Sequence, residues 1–199
     1  MTKEEIRAWM LAHGADNAAV IQQSSVVLNP EFRAVCAQNS CGGYGQCWMC
    51  PPDAGDIFDL MRKVRGYQYG VLYQTISPLE DSFDLEGINE ASARHVRLSQ
   101  AVQPLLPPKA MHLSCGGCRV CERCAKRDNL PCRFPEKAMT SLEACGIDVA
   151  RTTASTPLRY TNGANTVTFF WADSALKTFL QTKTNLCKTV PVRRCDTEK

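Results

Sequence analysis

Long apolar runs are missing from the 199-residue sequence, and none reaches the roughly 18 residues that predict a membrane span. Charge of one sign is also scarce, because the formal net charge is only +3. The basic residues after position 182 account for that excess, so the body of the chain is neutral. A neutral body lacks the basic face that binds nucleic acid. We therefore expect no membrane and no nucleic acid among the binding partners.

Signatures of nucleotide binding and of serine hydrolases are absent too. Neither glycine pair, 42–43 or 116–117, is followed by the Lys-Ser/Thr of a phosphate loop, and no G-x-G-x-x-G fingerprint occurs. The N-terminal segment predicts an amphipathic helix with acidic residues in its first turn, which is unlike a signal peptide. We therefore expect a cytoplasmic protein, and these patterns leave open whether it is an enzyme.

Cysteine, in contrast, is abundant, with 12 residues in the chain. Secreted proteins pair such residues as disulfides, but that class is usually shorter and richer in cysteine. In a reducing cytoplasm, grouped thiols indicate metal binding or redox chemistry instead. Nine of the cysteines fall into two groups, between positions 36 and 50 and between positions 115 and 132.

Helix and strand patterns alternate along the chain, which predicts an α/β or α+β fold with a small mixed sheet flanked by helices. The two cysteine groups fall between these elements and would form cluster-binding loops. Residues 1–182 form a single predicted domain, and residues 183–199 a basic, flexible tail. The predicted strands cover residues 18–22, 67–76, 110–114 and 166–171, and the predicted helices cover residues 3–13, 31–38, 84–103 and 172–180, with another that starts after Asp53 or Asp56 and ends at Gly66.

The later cysteine group has overlapping C-x2-C steps at Cys115, Cys118, Cys121 and Cys124, followed by Cys132. One step places two sulfurs on one metal, whereas repeated steps wrap the backbone around something larger than an ion, as in bacterial ferredoxins. Zinc sites usually come as two separated pairs and need only four ligands. Basic residues outnumber acidic ones in this segment and would stabilise an anionic cluster. The spacing predicts a [4Fe–4S] cluster, with zinc as the alternative.

The earlier group, Cys36, Cys41, Cys47 and Cys50, has a looser and less diagnostic spacing. Its glycines let the backbone approach a bulky inorganic core, and a proline after the last cysteine also occurs in the ferredoxin pattern. We predict a second [4Fe–4S] cluster here, held by four cysteines or by three. With only three cysteine ligands, one iron would be open to a small molecule.

Two stretches resemble the domain of unknown function 2284 family, whose members are described as predicted metal-binding proteins. They are Cys41-Gly-Gly-Tyr-Gly-Gln-Cys-Trp-Met-Cys-Pro-Pro52 with the preceding Cys36, and the segment from Cys118 through Cys132 to Val149. The resemblance implies Cys36, Cys41 and Cys50 in one site, and Cys118, Cys121, Cys124 and Cys132 in the other. Cys47 and Cys115 are additional to that pattern and are alternate ligands. The resemblance implies sites and not a substrate.

Three functions follow as expectations. The first is an iron–sulfur protein that transfers electrons to or from a redox partner, which would be a protein or a small molecule. The second is a small redox or Lewis-acid enzyme whose cluster has an open iron. The third is an adaptor with structural zinc. His95, near the apolar face of the 84–103 helix, is expected to be packed in the core, with approach to a cluster or substrate as the alternative.

Overall fold

The computed structural model describes residues 1–175, and a five-stranded mixed sheet forms its centre. The strands are β1 (Asn17–Gln22), β2 (Tyr69–Pro78), β3 (Met111–Ser114), β4 (Thr140–Ser141) and β5 (Thr166–Ala175). Their order across the sheet is β1-β2-β5-β3-β4. β3 and β4 pair in parallel, and the other neighbouring strands pair antiparallel. The predicted class, a small mixed sheet with helices, is confirmed.

Within residues 1–175, five helices accompany the sheet, and side-chain caps fix the starts of four of them. The helices are α1 (Lys3–Ala12), α2 (Phe32–Ala37), α3 (Ile57–Arg65), α4 (Leu85–Val102) and α5 (Val149–Thr153), with short 3₁₀ turns at Gln23–Ser25, Gln103–Leu105 and Ala125–Asp128. Thr2, Asp56, Asp84 and Asp148 each accept a hydrogen bond from a backbone N–H of the first turn. Within residues 1–175, no helix combines the length and the apolar character needed to cross a bilayer.

The sheet is apolar on both faces, because side chains alternate between the faces along β2 and its residues on both sides are buried. Tyr73 and Val71 pack against α1 and α4, together with Ile6 and Val102. Leu72 lies on the opposite face, in a core that contains apolar residues of α3, β3 and β5. Burial of each such large side chain contributes about 1.5–3 kcal/mol to the stability of the fold. The packed sheet is therefore a stable base for the loops that carry the cysteines.

Parallel pairing of β3 with β4 determines where those loops meet. The carboxyl ends of parallel strands lie at the same edge of a sheet, and here Ser114 lies beside Ser141. β3 continues into the later cysteine group, while β4 continues into a turn over residues 142–146. The Leu142 N–H donates to the Ser114 carbonyl at 2.9 Å. The Asn29 N–H donates to the Gly146 carbonyl at 2.7 Å, which brings the chain entering α2 to this edge.

The end of the described chain departs from the sequence-based prediction. The sequence predicts a helix from residue 172, but β5 continues as a strand to Ala175, which pairs with Tyr69. The reason is the length of β2, which offers ten residues of backbone partners and so extends its neighbour. Residues 176–180 of the predicted helix and the predicted tail 183–199 lie outside the described residues. β4 and α5 are too short for periodicity to reveal, and neither is predicted from the sequence.

His95 is a core residue of α4, with 1% of its surface exposed. Its Nδ1 lies 2.6 Å from the Thr75 hydroxyl, and its ring lies against the rings of Tyr73 and Phe169. Burial, with smaller contributions from the charges of Arg94 and His112, lowers the pKa of His95 to about 2. The structure therefore supports the prediction that His95 is packed in the core.

Buried His95 makes stability depend on pH. The native state keeps this imidazole neutral, whereas the unfolded chain takes up a proton below its ordinary pKa of 6.5. Stability present above that pH is therefore lost as the pH falls from 6.5 toward 2. We expect the urea-unfolding free energy of the parent to fall by about 1.4 kcal/mol per pH unit more steeply than that of His95→Gln.

The comparison requires equal metal content in both proteins, because acid also protonates metal-bound thiolates. His13→Gln removes an exposed imidazole at the end of α1 and is the matched control. Parallel pH profiles for the parent and His95→Gln would contradict the assignment.

Candidate metal centre

The earlier cysteine group lies on α2 and on the tight loop that follows it. Cys36 is half-buried on α2, Cys41 is exposed and Cys50 is buried. Gly42 and Gly45 have φ angles of 70° and 66°, a region that glycine adopts without strain. The loop closes when the Gly45 N–H donates to the Pro51 carbonyl at 2.8 Å. The chain thereby folds back on itself and brings the cysteines of the loop close together.

Three of these sulfurs share one cavity. Cys36, Cys41 and Cys50 line a space of about 290 Å³, which we call the first cavity, and Glu143 lies on its wall. A β-carbon at Gly43 would lie 3.3 Å from the Cys50 sulfur and 3.6 Å from the Cys41 sulfur. The absence of that carbon lets both sulfurs approach the same point of the backbone. Burial, followed by the negative charge of Glu143, raises the pKa of Cys36.

The later cysteine group surrounds a second, narrower cavity. Its lining includes the four cysteines that the C-x2-C steps and the family pattern share, Cys118, Cys121, Cys124 and Cys132. All four are half-buried. The 3₁₀ turn after Cys124 ends at Asn129, whose φ of 54° is left-handed and redirects the chain toward Cys132. We call this space the second cavity.

Cys47 lies between the two groups. Its thiol is hydrogen bonded to the thiols of Cys118 and Cys50, and its side chain lines the second cavity together with Cys118. A β-carbon at Gly117 would lie 3.1 Å from the Cys50 sulfur. The two loops therefore touch, with the sulfurs of Cys47 and Cys50 at the contact.

These contacts shift the pKa values of the three thiols in different directions. The hydrogen bond from Cys47 lowers the pKa of Cys50 despite its burial. The same Cys47 thiol and burial raise the pKa of Cys118. The hydrogen bond to Cys118 lowers the pKa of Cys47, but the bond to Cys50 and burial outweigh it and raise the value to about 11. Because metals bind the thiolate, Cys50 is the sulfur of this contact most ready to bind one.

Two other cysteines pack into the protein interior. Cys115 contacts the core beneath α1 and α4, and burial raises its pKa to about 11. Cys145 is fully buried beside Leu142, and burial raises its pKa to about 12. Both environments favour the neutral thiol, which behaves as a small apolar side chain. Cys187 and Cys195 lie outside the described residues.

Polar contacts also clamp the two loops together. The Lys126 ammonium lies 2.6 Å from the Asp53 carboxylate, and both side chains are less than one fifth exposed. The same ammonium lies 4.2 Å from the centre of the Trp48 ring, and the indole N–H donates to the Leu130 carbonyl at 2.9 Å. Each contact joins the earlier loop to the later one, so the contacts hold the two loops against each other.

A larger cavity, of about 570 Å³, opens between the two loops and α4. Its lining includes the four cysteines Cys41, Cys47, Cys50 and Cys118, and three arginines, Arg97, Arg119 and Arg127, against one acidic side chain, Glu122. No ion pair joins these three guanidinium groups to any of residues 1–175. We call this space the arginine cavity, and its charge suits a small anion.

The donor set and the backbone both suit a metal. No three Cys, His, Asp or Glu side chains of the described chain converge on one point as the ligands of a single ion do. The thiols instead line two adjoining cavities, and the absent β-carbons of Gly43 and Gly117 leave room beside the sulfurs. Thiolates bind soft metals and iron–sulfur cores, so these residues fit such a group.

The sequence patterns anticipate most of this arrangement. Every cysteine predicted as a ligand lines one of the two cavities, except the alternate Cys115, which packs into the core. Glu143 and the arginine-bearing face of α4 were missed. The signal for Glu143 was a lone charged residue between apolar neighbours, Leu142 and Ala144, and both neighbours prove to be buried.

Comparison with known proteins supports a metal centre. Residues 19–172 match the model of a family described as "Predicted metal-binding protein (DUF2284)". The match covers both cysteine loops and β1 to β5, apart from a few terminal residues. Neither the curated proteins nor the solved structures contain a match to the chain.

The contact between Gly117 and Cys50 can be tested with a matched pair of variants. Gly117 and Gly14 have nearly equal φ angles, 115° and 113°, but an added β-carbon would meet another atom within 4 Å only at Gly117. Alanine at either position should cost about 1–3 kcal/mol of backbone strain. We expect only Gly117→Ala to lose bound metal as well, since it alone displaces the Cys50 sulfur.

Elemental analysis gives the metal content per chain, and urea unfolding gives the stability of each variant. Equal metal content in Gly117→Ala and Gly14→Ala would show that the contact with Cys50 does not matter for binding.

Proposed function

Because the chain belongs to the DUF2284 family of predicted metal-binding proteins, we propose that it is an iron–sulfur protein that transfers single electrons. Cys118, Cys121, Cys124 and Cys132 would hold one [4Fe–4S] cluster in the second cavity. Cys36, Cys41 and Cys50 would hold the other in the first cavity. When bound, such clusters supply reversible one-electron exchange.

The contact between the two cysteine loops is the observation that carries this proposal. The Cys47 thiol is hydrogen bonded to a thiol of each group, and the backbone at Gly117 lies against the Cys50 sulfur. Two redox groups held by these loops would be neighbours. Adjacent groups allow an electron to enter through one loop and leave through the other, which is the property of a relay.

Charges around the later loop support an anionic group there. Arg123 is committed to a bidentate pair with Asp128, at 2.8 Å for each contact. Arg119 and Arg127 are exposed and have no ion-pair partner among the described residues, so their charge acts on the arginine cavity that they line, beside the later loop. An electron donor or acceptor with an acidic face, whether a protein or a small molecule, would bind to this surface.

Iron and sulfide counts test the relay directly. Protein purified without air should be brown and contain about eight iron atoms and eight acid-labile sulfides per chain, as two four-iron clusters require. Elemental analysis and a colorimetric sulfide assay give both numbers. Stoichiometric zinc in colourless, iron-free protein would overturn the proposal in favour of a structural zinc module.

The arginine cavity favours a second candidate, a small redox or Lewis-acid enzyme. Its first cluster would be held by three thiolates and would keep one iron open toward a substrate. Cys41 and Cys50 line both the first cavity and the arginine cavity, so the site adjoins a space large enough for a small molecule. The three guanidinium groups would favour an anionic substrate.

Cys47→Ala tests whether a fourth cysteine completes the first site. We expect iron content and the electronic spectrum to stay unchanged, because Cys47 does not line the first cavity. Retained iron means a three-thiolate site, as the enzyme requires. Cys145→Ala, which removes a core cysteine, is the matched control. Loss of about half the iron in Cys47→Ala alone would make Cys47 a ligand and would oppose an open iron.

A further inference from the structure

Glu143 brings a negative charge into the first cavity. It is the only charged side chain, among the described residues, on the wall that Cys36, Cys41 and Cys50 share. Gly116 of the later loop also lines this wall. Glu143 therefore shares a cavity wall with the three sulfurs that would hold a metal and leave a fourth position to be filled.

One oxygen of this carboxylate is buried without a protein partner. The Oε2 atom has less than 1 Å² of exposed surface and no hydrogen bond. No ion pair in the described part of the chain involves Glu143. Leaving one oxygen of a charged group buried and unpaired is costly. A cation at this oxygen would remove that cost.

The backbone holds Glu143 in place. The turn that carries it begins where β4 ends, and the Ala144 N–H donates to the Ser141 hydroxyl at 3.0 Å. The Cys145 N–H donates to the Ser141 carbonyl at 3.1 Å, and the Ile147 N–H donates to the Leu142 carbonyl at 2.9 Å. Apolar neighbours on both sides are buried. The carboxylate is thus presented from a rigid turn, as a ligand should be.

We propose that Glu143 is the fourth ligand of the first site, which binds its metal or cluster through three cysteine sulfurs and one carboxylate oxygen. The inference rests on the proposed function in one respect, namely that Cys36, Cys41 and Cys50 bind metal. It does not depend on whether that metal is iron or zinc, since carboxylates bind both. A carboxylate is a harder and more readily displaced ligand than a thiolate, so this site would differ from the all-cysteine second site.

The test compares the parent with Glu143→Gln and Glu143→Cys. The parent's iron and sulfide content decides the proposed function, whereas the difference between parent and variants decides the role of Glu143. In iron-57 protein, Mössbauer spectra should resolve one iron bound by oxygen in the parent. Glu143→Gln should lose that signal, with loss of up to half the iron, and Glu143→Cys should restore the iron as an all-thiolate site. If the parent holds zinc, the zinc content per chain gives the same comparison.

Glu122→Gln is the matched control, because it removes an exposed carboxylate from the later cysteine loop. It should leave both metal content and spectra unchanged. Glu143→Gln protein with the parent's metal content and spectrum would overturn the proposal. Metal loss that Glu143→Cys does not restore, with altered circular dichroism in both variants, would assign Glu143 a structural role and would equally overturn it.

Discussion

The close approach of the Cys50 sulfur to the backbone at Gly117 is the constraint on which the site depends. A β-carbon at position 117 would lie 3.1 Å from the Cys50 sulfur, so glycine is needed there for the sulfur to keep its position. The approach in turn requires the later loop to leave the sheet beside the turn that follows β4. Two residue pairs of parallel ladder, Leu113 with Thr140 and Ser114 with Ser141, provide that alignment. A very short strand thus determines where the two cysteine loops can meet.

Polar groups inside a protein are tolerated when they have partners. This protein contains buried polar groups with a partner and buried polar groups without one. Lys126 and Asp53 neutralise each other between the loops, and His95 remains neutral beside Thr75. Among the described residues, Glu143 has no opposite charge beside it, and its buried Oε2 atom has no hydrogen-bond partner. Glu143 thus differs from the paired charges of Lys126 and Asp53, and its unpartnered oxygen suits a bound cation. Burial alone would not have distinguished them.

The sequence predicted most of the sheet and grouped the cysteines that line each cavity, because these signals are local. The C-x2-C steps, the capping residues Thr2 and Asp56, and the alternation in β2 depend on residues close together in the chain. Contacts between distant segments gave no such signal. The position of Cys47 between the groups and the placement of Glu143 and Cys36 on one cavity wall arise from strand pairing, and two-residue β4 carries no periodicity. The predicted helix from residue 172 failed because pairing with β2 overrides local preference.

One side of helix α4 packs against the protein interior, and another side lines the arginine cavity. Leu98 and Val102 are buried beneath it, while Asn89, Arg97 and Gln100 line the arginine cavity. These three side chains are exposed, and they belong neither to the packed core nor to the sulfur ligands. Relatives that share the cysteine framework could therefore diverge in what they admit through substitutions confined to one side of a single helix, leaving both the folding core and the inorganic chemistry intact.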